Sequence, residues 1–264
     1  MMTVSLITSD QEDNFDSIID VATKRAFKEI NPGKEGLQRL FERGGEWQDY
    51  FVDGIRRYCA PAPDYALAKK ILGGDFVTPE EVMAKRPVVY TDEQVLALSE
   101  TLPSEDVLRA LKEEGFALVA APPTALSLLD VRLLKAGDFY SKTGGWYNND
   151  NQKFSRDDKT SFGWLAVRKA PVTDSLNKSW EAQSELLSDV EHVPNAAEMN
   201  WFITTFLAVR GVRLFKRFYV RTSSLSADGD RVGIGGFDSG GLDFHNYWDN
   251  RRDSDLGVAS VRKF

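Results

Sequence analysis

The chain has 264 residues, enough for one large domain or two ordinary ones, and its 42% hydrophobic and 28% charged residues are those of a soluble globular protein. A net charge of −7 leaves no basic excess to neutralise a phosphate backbone, which argues against a nucleic-acid partner. The single Cys59 excludes an intramolecular disulfide and a cysteine zinc site, and no run is long enough to span a membrane. The first residues lack the basic and apolar regions of a secretory signal, so the expectation is a cytoplasmic product; a protein displayed on a surface or virion would also lack one.

The first half reads as helical. Asp13–Ile30 places Phe15, Ile18, Ile19, Ala22, Ala26, Phe27 and Ile30 at three- and four-residue spacing, and Asn31-Pro32-Gly33 stops it. Gly36–Phe41 and Trp47–Tyr58 read as shorter helices, separated by Gly44-Gly45 and closed by Ala60-Pro61-Ala62-Pro63. After Tyr65–Leu72, Thr78-Pro79-Glu80-Glu81 is a helix start, with an N-cap hydroxyl, Pro in the first turn and carboxylates facing the dipole. Thr91 and Ser104 open two more in the same way. Residues 1–114 are therefore expected to form a helical accessory or docking region.

At Gly115 the pattern changes. Phe116–Ala121 is a compact apolar run ended by Pro122-Pro123 and reads as a buried strand, with Asp138–Lys142 and Gly163–Arg168 as further strands. Ser179–Leu187 and Asn195–Val209 read as helices, the second capped by Asn195 with Glu198 as its capping-box partner and ended by Gly211. Val212–Thr222, Val232–Gly235, Leu242–Trp248 and Leu256–Phe264 then follow as strands with Gly, Asp and Ser at the breaks. The expectation for 115–264 is an α+β domain with an antiparallel sheet and two helices.

The stretch from Gly236 to Ser254 has no steady period of two or of 3.6. Two readings fit its composition. A surface hairpin is polar and Gly-rich; a binding face mixes rigid aromatics with small polar groups. Phe237, Leu242, Phe244, His245, Tyr247 and Trp248 are more aromatic and apolar groups than so short a hairpin ordinarily carries. Strand alternation puts Phe244, Asn246 and Trp248 on one face, expected to be the core, and His245 and Tyr247 on the other, expected to be exposed.

These residues carry a resemblance. Gly235-Gly236, Trp248-Asp249-Asn250, Arg251-Arg252 and Ser254-Asp255-Leu256-Gly257-Val258 are similar to the ending of variable proteins diversified by retroelements, which have a C-type-lectin fold of the formylglycine-generating-enzyme-like branch. In that family adenine-directed mutagenesis of Asn codons yields Asn, Asp, Ser, Gly, His, Tyr, Phe, Leu and Arg. The resemblance spans about the last 150 residues and implies that the first strand of the domain, Phe116–Ala121, pairs with the last, Gly257–Arg262. It implies a non-enzymatic binding domain whose ligand is a protein, with no cofactor, metal or catalytic residue. The implied ligand-binding positions are Phe237, Asp238, Ser239, Asp243, Phe244, His245, Asn246, Tyr247, Asp249, Asn250, Arg252 and Ser254, with Phe244, Tyr247 and Phe237 as anchors.

The likeness does not extend to enzymes of that branch, which use paired cysteines and copper, nor to calcium-dependent lectins, whose motifs His192-Val-Pro-Asn195 and Trp248-Asp249-Asn250 match only superficially. Gly233-Ile-Gly235-Gly236 is not followed by a helix, so it fails as a phosphate loop. The rival reading is a hydrolase or lyase using His245 with Asp243 or Asp249, which would require His245 to sit in a deep cleft. Trp146-Tyr147, in the polar loop Gly144–Asn151, reads either as a second wall of a binding site or as a loop anchored by its Trp.

Overall fold

The computed structural model describes residues 8–59, 64–141 and 143–264. The expected break at residues 60–63, and Lys142 at the end of an expected strand, lie outside them. Two compact units divide between residues 60 and 61. The first unit is helical: α1 (Ser9–Ile30), α2 (Gly33–Glu42) and α3 (Gly44–Cys59). Thr8 starts α1 in a capping box with Gln11, and Asn31 ends it in the left-handed conformation. Gly44-Gly45, expected to break the chain, opens α3. Trp47 and Phe51 stack on α3 at 5.4 Å, and Phe15 of α1 meets Phe51 at 6.4 Å. No residue of α1 or α2 is buried.

The second unit is mixed α/β, with helices and strands interspersed before a closing run of strands. It begins with α4 (Ala66–Leu72), β1 (Phe76–Val77), α5 (Pro79–Met83), α6 (Asp92–Glu100), α7 (Glu105–Glu113) and β2 (Phe116–Ala120). Next come α8 (Leu128–Leu134), α9 (Phe154–Asp157), β3 (Trp164–Arg168), α10 (Trp180–Ser184), β4 (Glu191–His192) and α11 (Ala196–Arg210). It closes with β5 (Tyr219–Leu225), β6 (Arg231–Asp238), β7 (Gly241–Tyr247), β8 (Leu256–Val258) and β9 (Val261–Arg262). The N-caps expected at Thr78 and Thr91 are present, each as a capping box, as is the capping box expected at Asn195; Ser104 stands at the N-cap of α7, but its side chain makes no cap bond, and Ser127 and Asp130 form a further box at α8. Among the described residues no helix is long and apolar enough to cross a membrane.

The strands form two sheets, ordered β1-β2-β3-β9-β4 and β7-β6-β5-β8. α11 packs on strands of both, touching β3 from one and β5 and β6 from the other. It carries apolar side chains all round, as a helix buried on every side must, and Trp201 donates its indole N–H to the Ala120 carbonyl at 3.0 Å.

The helices between residues 66 and 113 are part of this unit, which moves the expected boundary at 114/115 to 60/61. The reason lies in β2, all five of whose residues are buried. Ala117 and Val119 face the main core with α11, whereas Phe116 and Leu118 face a second core with Leu72 of α4 and Leu108 and Leu111 of α7. A strand covered on both faces needs both covering layers. β1 also pairs directly with β2, Phe76 opposite Leu118, and Arg210 at the end of α11 grips Glu81 of α5 with two bonds of 2.7 and 2.9 Å.

The pairing expected between the first and last strands is corrected as well. β2 lies between β1 and β3, and β3 separates it from β9. The closing run is split: Leu256–Val258 pairs in parallel with β5 in one sheet, and Val261–Arg262 joins the other. Apolar character marks both halves as buried but does not choose their partner. Among its described residues, the segment 138–142, read as a strand, makes an isolated bridge from Phe139 to Leu242 and no longer pairing.

Candidate functional site

The outer face of the β7-β6-β5-β8 sheet and the loop after β7 hold most of the residues singled out above. Across the sheet, Tyr219, Gly235 and Asp243 are in register, and so are Arg221, Gly233 and His245. The glycines make the floor. A Cβ on Gly233 would lie 2.5 Å from the Tyr247 ring, and on Gly235 1.9 Å from the Phe218 carbonyl oxygen, so only hydrogen fits at either.

Over this floor lie Tyr219, His245 and Tyr247, with ring centroids 5.0 Å apart for Tyr219 and His245, 6.1 Å for the two tyrosines and 6.0 Å for His245 and Tyr247. Asp243 gathers them: its Oδ2 accepts from the Tyr219 hydroxyl at 3.2 Å and lies 3.0 Å from His245 Nε2, and its Oδ1 accepts from the Phe244 N–H. Burial, then the Asp243 carboxylate, raises the pKa of Tyr219; burial, then Tyr219 and the carboxylates of Asp255, Asp253 and Asp243, raises that of Tyr247. Both phenols therefore stay neutral and able to donate. His245 is exposed, as alternation predicted; Tyr247, expected to be exposed as well, is half-buried, with the Tyr219 and His245 rings beside it.

Three expected placements are corrected. Phe244 is buried, stacked on Phe139 at 6.0 Å and against Tyr147 at 4.7 Å, so it is core and not a surface anchor. Phe237 is also fully buried. The register of β6 against β7 shifts between Gly235 and Asp238, and Gly236 takes a left-handed φ of 56° there; this bulge turns Phe237 inward and leaves Asp238 and Ser239 exposed. Trp248, expected in the core, is 54% exposed. β7 ends at Tyr247, and Asn246 before it on the inward row is already exposed, so Trp248 lies beyond the packed interior with Arg251 5.2 Å over its ring. The Trp146-Tyr147 loop is anchored from within: Trp146 donates to the Phe244 carbonyl at 2.8 Å and Tyr147 is buried.

The loop from Trp248 to Asp255 is held chiefly through its own carbonyls, with side-chain bonds from Arg251 to Asp253 at 2.6 Å and from Arg231 to Asp249 at 3.3 Å beside them. Arg221, fully buried on β5, donates from Nη2 to the carbonyls of Trp248 at 3.1 Å and Arg251 at 2.7 Å, and from Nη1 to Gln183 Oε1 at 2.7 Å and the Lys178 carbonyl at 3.3 Å. The backbone N–H groups of Trp180, Asn177 and Tyr219 donate to the carbonyls of Asp249, Asp253 and Asp255, each at 2.8 Å. The side chains of Asp249, Asn250, Arg252 and Ser254 are exposed.

Arg221, Gln183 and Tyr219 were not singled out from sequence. An Arg in an alternating strand reads as solvent-facing, and nothing in its neighbours signals that a loop 30 residues away covers it. Asp158, after α9, accepts from the Ser224 hydroxyl. His192 is in β4, on the other sheet. Among the described residues no group of His, Cys, Asp and Glu is arranged to hold a metal ion. Compared with family models, with curated proteins and with solved structures, the chain matches none.

Proposed function

We propose that the chain is a non-enzymatic, protein-binding variable protein, with a C-terminal domain on the C-type-lectin plan of the retroelement-diversified family. Its ligand meets the outward residues of Asp238–Ser254. Asp238, Ser239, His245, Asn246, Asp249, Asn250, Arg252 and Ser254 differ from one family member to the next, and Asp243, Tyr219 and Tyr247 form the semi-rigid centre. The observation that carries this reading is the loop held by main-chain carbonyls: bonds to backbone atoms survive a change of side chain, so the surface can vary while the fold does not. Rigid tyrosines beside small polar groups are the chemistry of adaptable paratopes.

The test is the nucleotide sequence around the gene. The expected finding is a nearby imperfect repeat of the last coding stretch, differing from it at adenines, beside a reverse transcriptase. A locus with neither would overturn the retroelement assignment.

The contact between His245 Nε2 and Asp243 Oδ2 is the one observation favouring a hydrolase or lyase, since a carboxylate orients a general base. Against it, the His245 side chain is 52% exposed, whereas a catalytic base works in a site that excludes water. Hydrolytic or elimination activity abolished by His245→Ala would favour the enzyme.

A further inference from the structure

A pocket of about 310 Å³ lies among β3, β4, β9 and the start of α11, on the other sheet from the face described above. Its size is that of a small-molecule site. Much of its wall is aromatic. Trp164 opens β3, and its indole N–H is taken by the Leu98 carbonyl at 2.7 Å, so the ring offers the pocket apolar surface alone. Phe162 and Phe264 line it as well, 43% and 50% exposed, large rings that the interior has not taken in.

Two charges of opposite sign line the same pocket and do not pair with each other. Glu198, the third residue of α11, uses Oε2 in its own capping box, accepting from the Asn195 N–H at 2.9 Å. Among the described residues no Lys or Arg pairs with it. Burial raises its pKa, the Asn195 bond opposes that, and Asp158 adds to the rise, as for a carboxylate enclosed without a cation. Lys263 follows β9, where its backbone N–H donates to the Val190 carbonyl at 2.8 Å; its exposed ammonium is in no ion pair either. The other basic groups add no free charge. Arg262 pairs with Glu114 at 2.7 Å, and burial, then Lys263, lowers the pKa of His192, which leaves its ring neutral.

From this we infer that the pocket binds a free α-amino acid with an apolar side chain. The ligand ammonium meets Glu198, its carboxylate meets Lys263, and its side chain lies against Phe162, Trp164 and Phe264. A ligand with both charges satisfies both residues. A simple carboxylate would bring a second negative charge to Glu198, and a simple amine a second positive charge to Lys263. The aromatic wall selects an apolar side chain, because a polar one would lose its water there without gaining a partner.

Isothermal titration of the full chain tests this. The probes are L-phenylalanine and L-leucine, with N-acetyl-L-phenylalanine and L-phenylalanine methyl ester as derivatives that each lack one charge. Both free amino acids are expected to bind saturably at sub-millimolar concentration, and each derivative roughly tenfold more weakly. Glu198→Gln is expected to weaken L-phenylalanine roughly tenfold but leave the N-acetyl derivative unchanged. Lys263→Met is expected to do the same for L-phenylalanine and leave the methyl ester unchanged. Gln also serves a capping box and Lys263 is exposed, so thermal melts of both variants stay near wild type. No saturable binding of either amino acid would overturn the proposal. So would wild-type affinity for L-phenylalanine in either variant, or a derivative that binds as tightly as L-phenylalanine.

Discussion

Replacing Arg221 by Met is expected to lower stability by about 3–5 kcal/mol, because a buried guanidinium that serves several acceptors leaves them unpaired when it is removed. Three of those acceptors are main-chain carbonyls, at Lys178, Trp248 and Arg251, and the fourth is the Gln183 side chain. Met matches the stem and part of the volume, so the loss reports bonds more than packing. Burial lowers the pKa of Arg221, the nearby Asp249 carboxylate opposes that, and a guanidinium remains charged in any case. The second effect is local. The amides of 249–255 are expected to exchange hydrogen faster than those of β5 and β6, as the clamp on their loop is gone. A melt within about 1 kcal/mol of wild type, with unchanged exchange in the loop, would show that Arg221 does not hold it.

Truncation of Phe244 to Ala is expected to cost about 3–5 kcal/mol, the range for emptying a large side chain from a packed core. Its ring lies between Phe139 and Tyr147, and the carbonyl of the same residue fixes Trp146. The neighbouring His245→Ala, by contrast, is expected within about 0.5 kcal/mol of wild type, since it removes an exposed ring. Chemical denaturation of the two variants side by side checks the difference. Equal losses at 244 and 245 would contradict the inward and outward assignment of β7.

Local signals in the sequence were read correctly where the physics is local. The caps at Thr78, Thr91 and Asn195 depend on residues three apart, and α11 ends at Gly211 because a left-handed C-cap favours glycine. The outward placement of His245 followed from a period of two over a short strand. What failed depended on distant neighbours. The amphipathic patterns of α4 and α7 look the same whether they cover each other or the back of β2, so the boundary was set too late. The inward turn of Phe237 depends on one left-handed residue, Gly236, which a Gly-Gly pair does not locate. Trp248 lies one residue past the end of β7, where strand alternation no longer sets which way a side chain points. The role of Arg221 needs the loop and the strand together, and neither shows it alone.

The exposed residues of this face are expected to vary without cost to the fold and to determine what binds. A library randomised at Asp238, Ser239, His245, Asn246, Asp249, Asn250, Arg252 and Ser254, with Arg221, Tyr219, Asp243 and Tyr247 kept, tests it most directly. Surface-displayed members are sorted first for resistance to protease and then for capture of a protein target that the parent does not bind. Most members are expected to remain protease-resistant, and selection is expected to return binders differing from the parent only at those positions. A library in which most members are digested, or in which folded members never yield a binder, would contradict it.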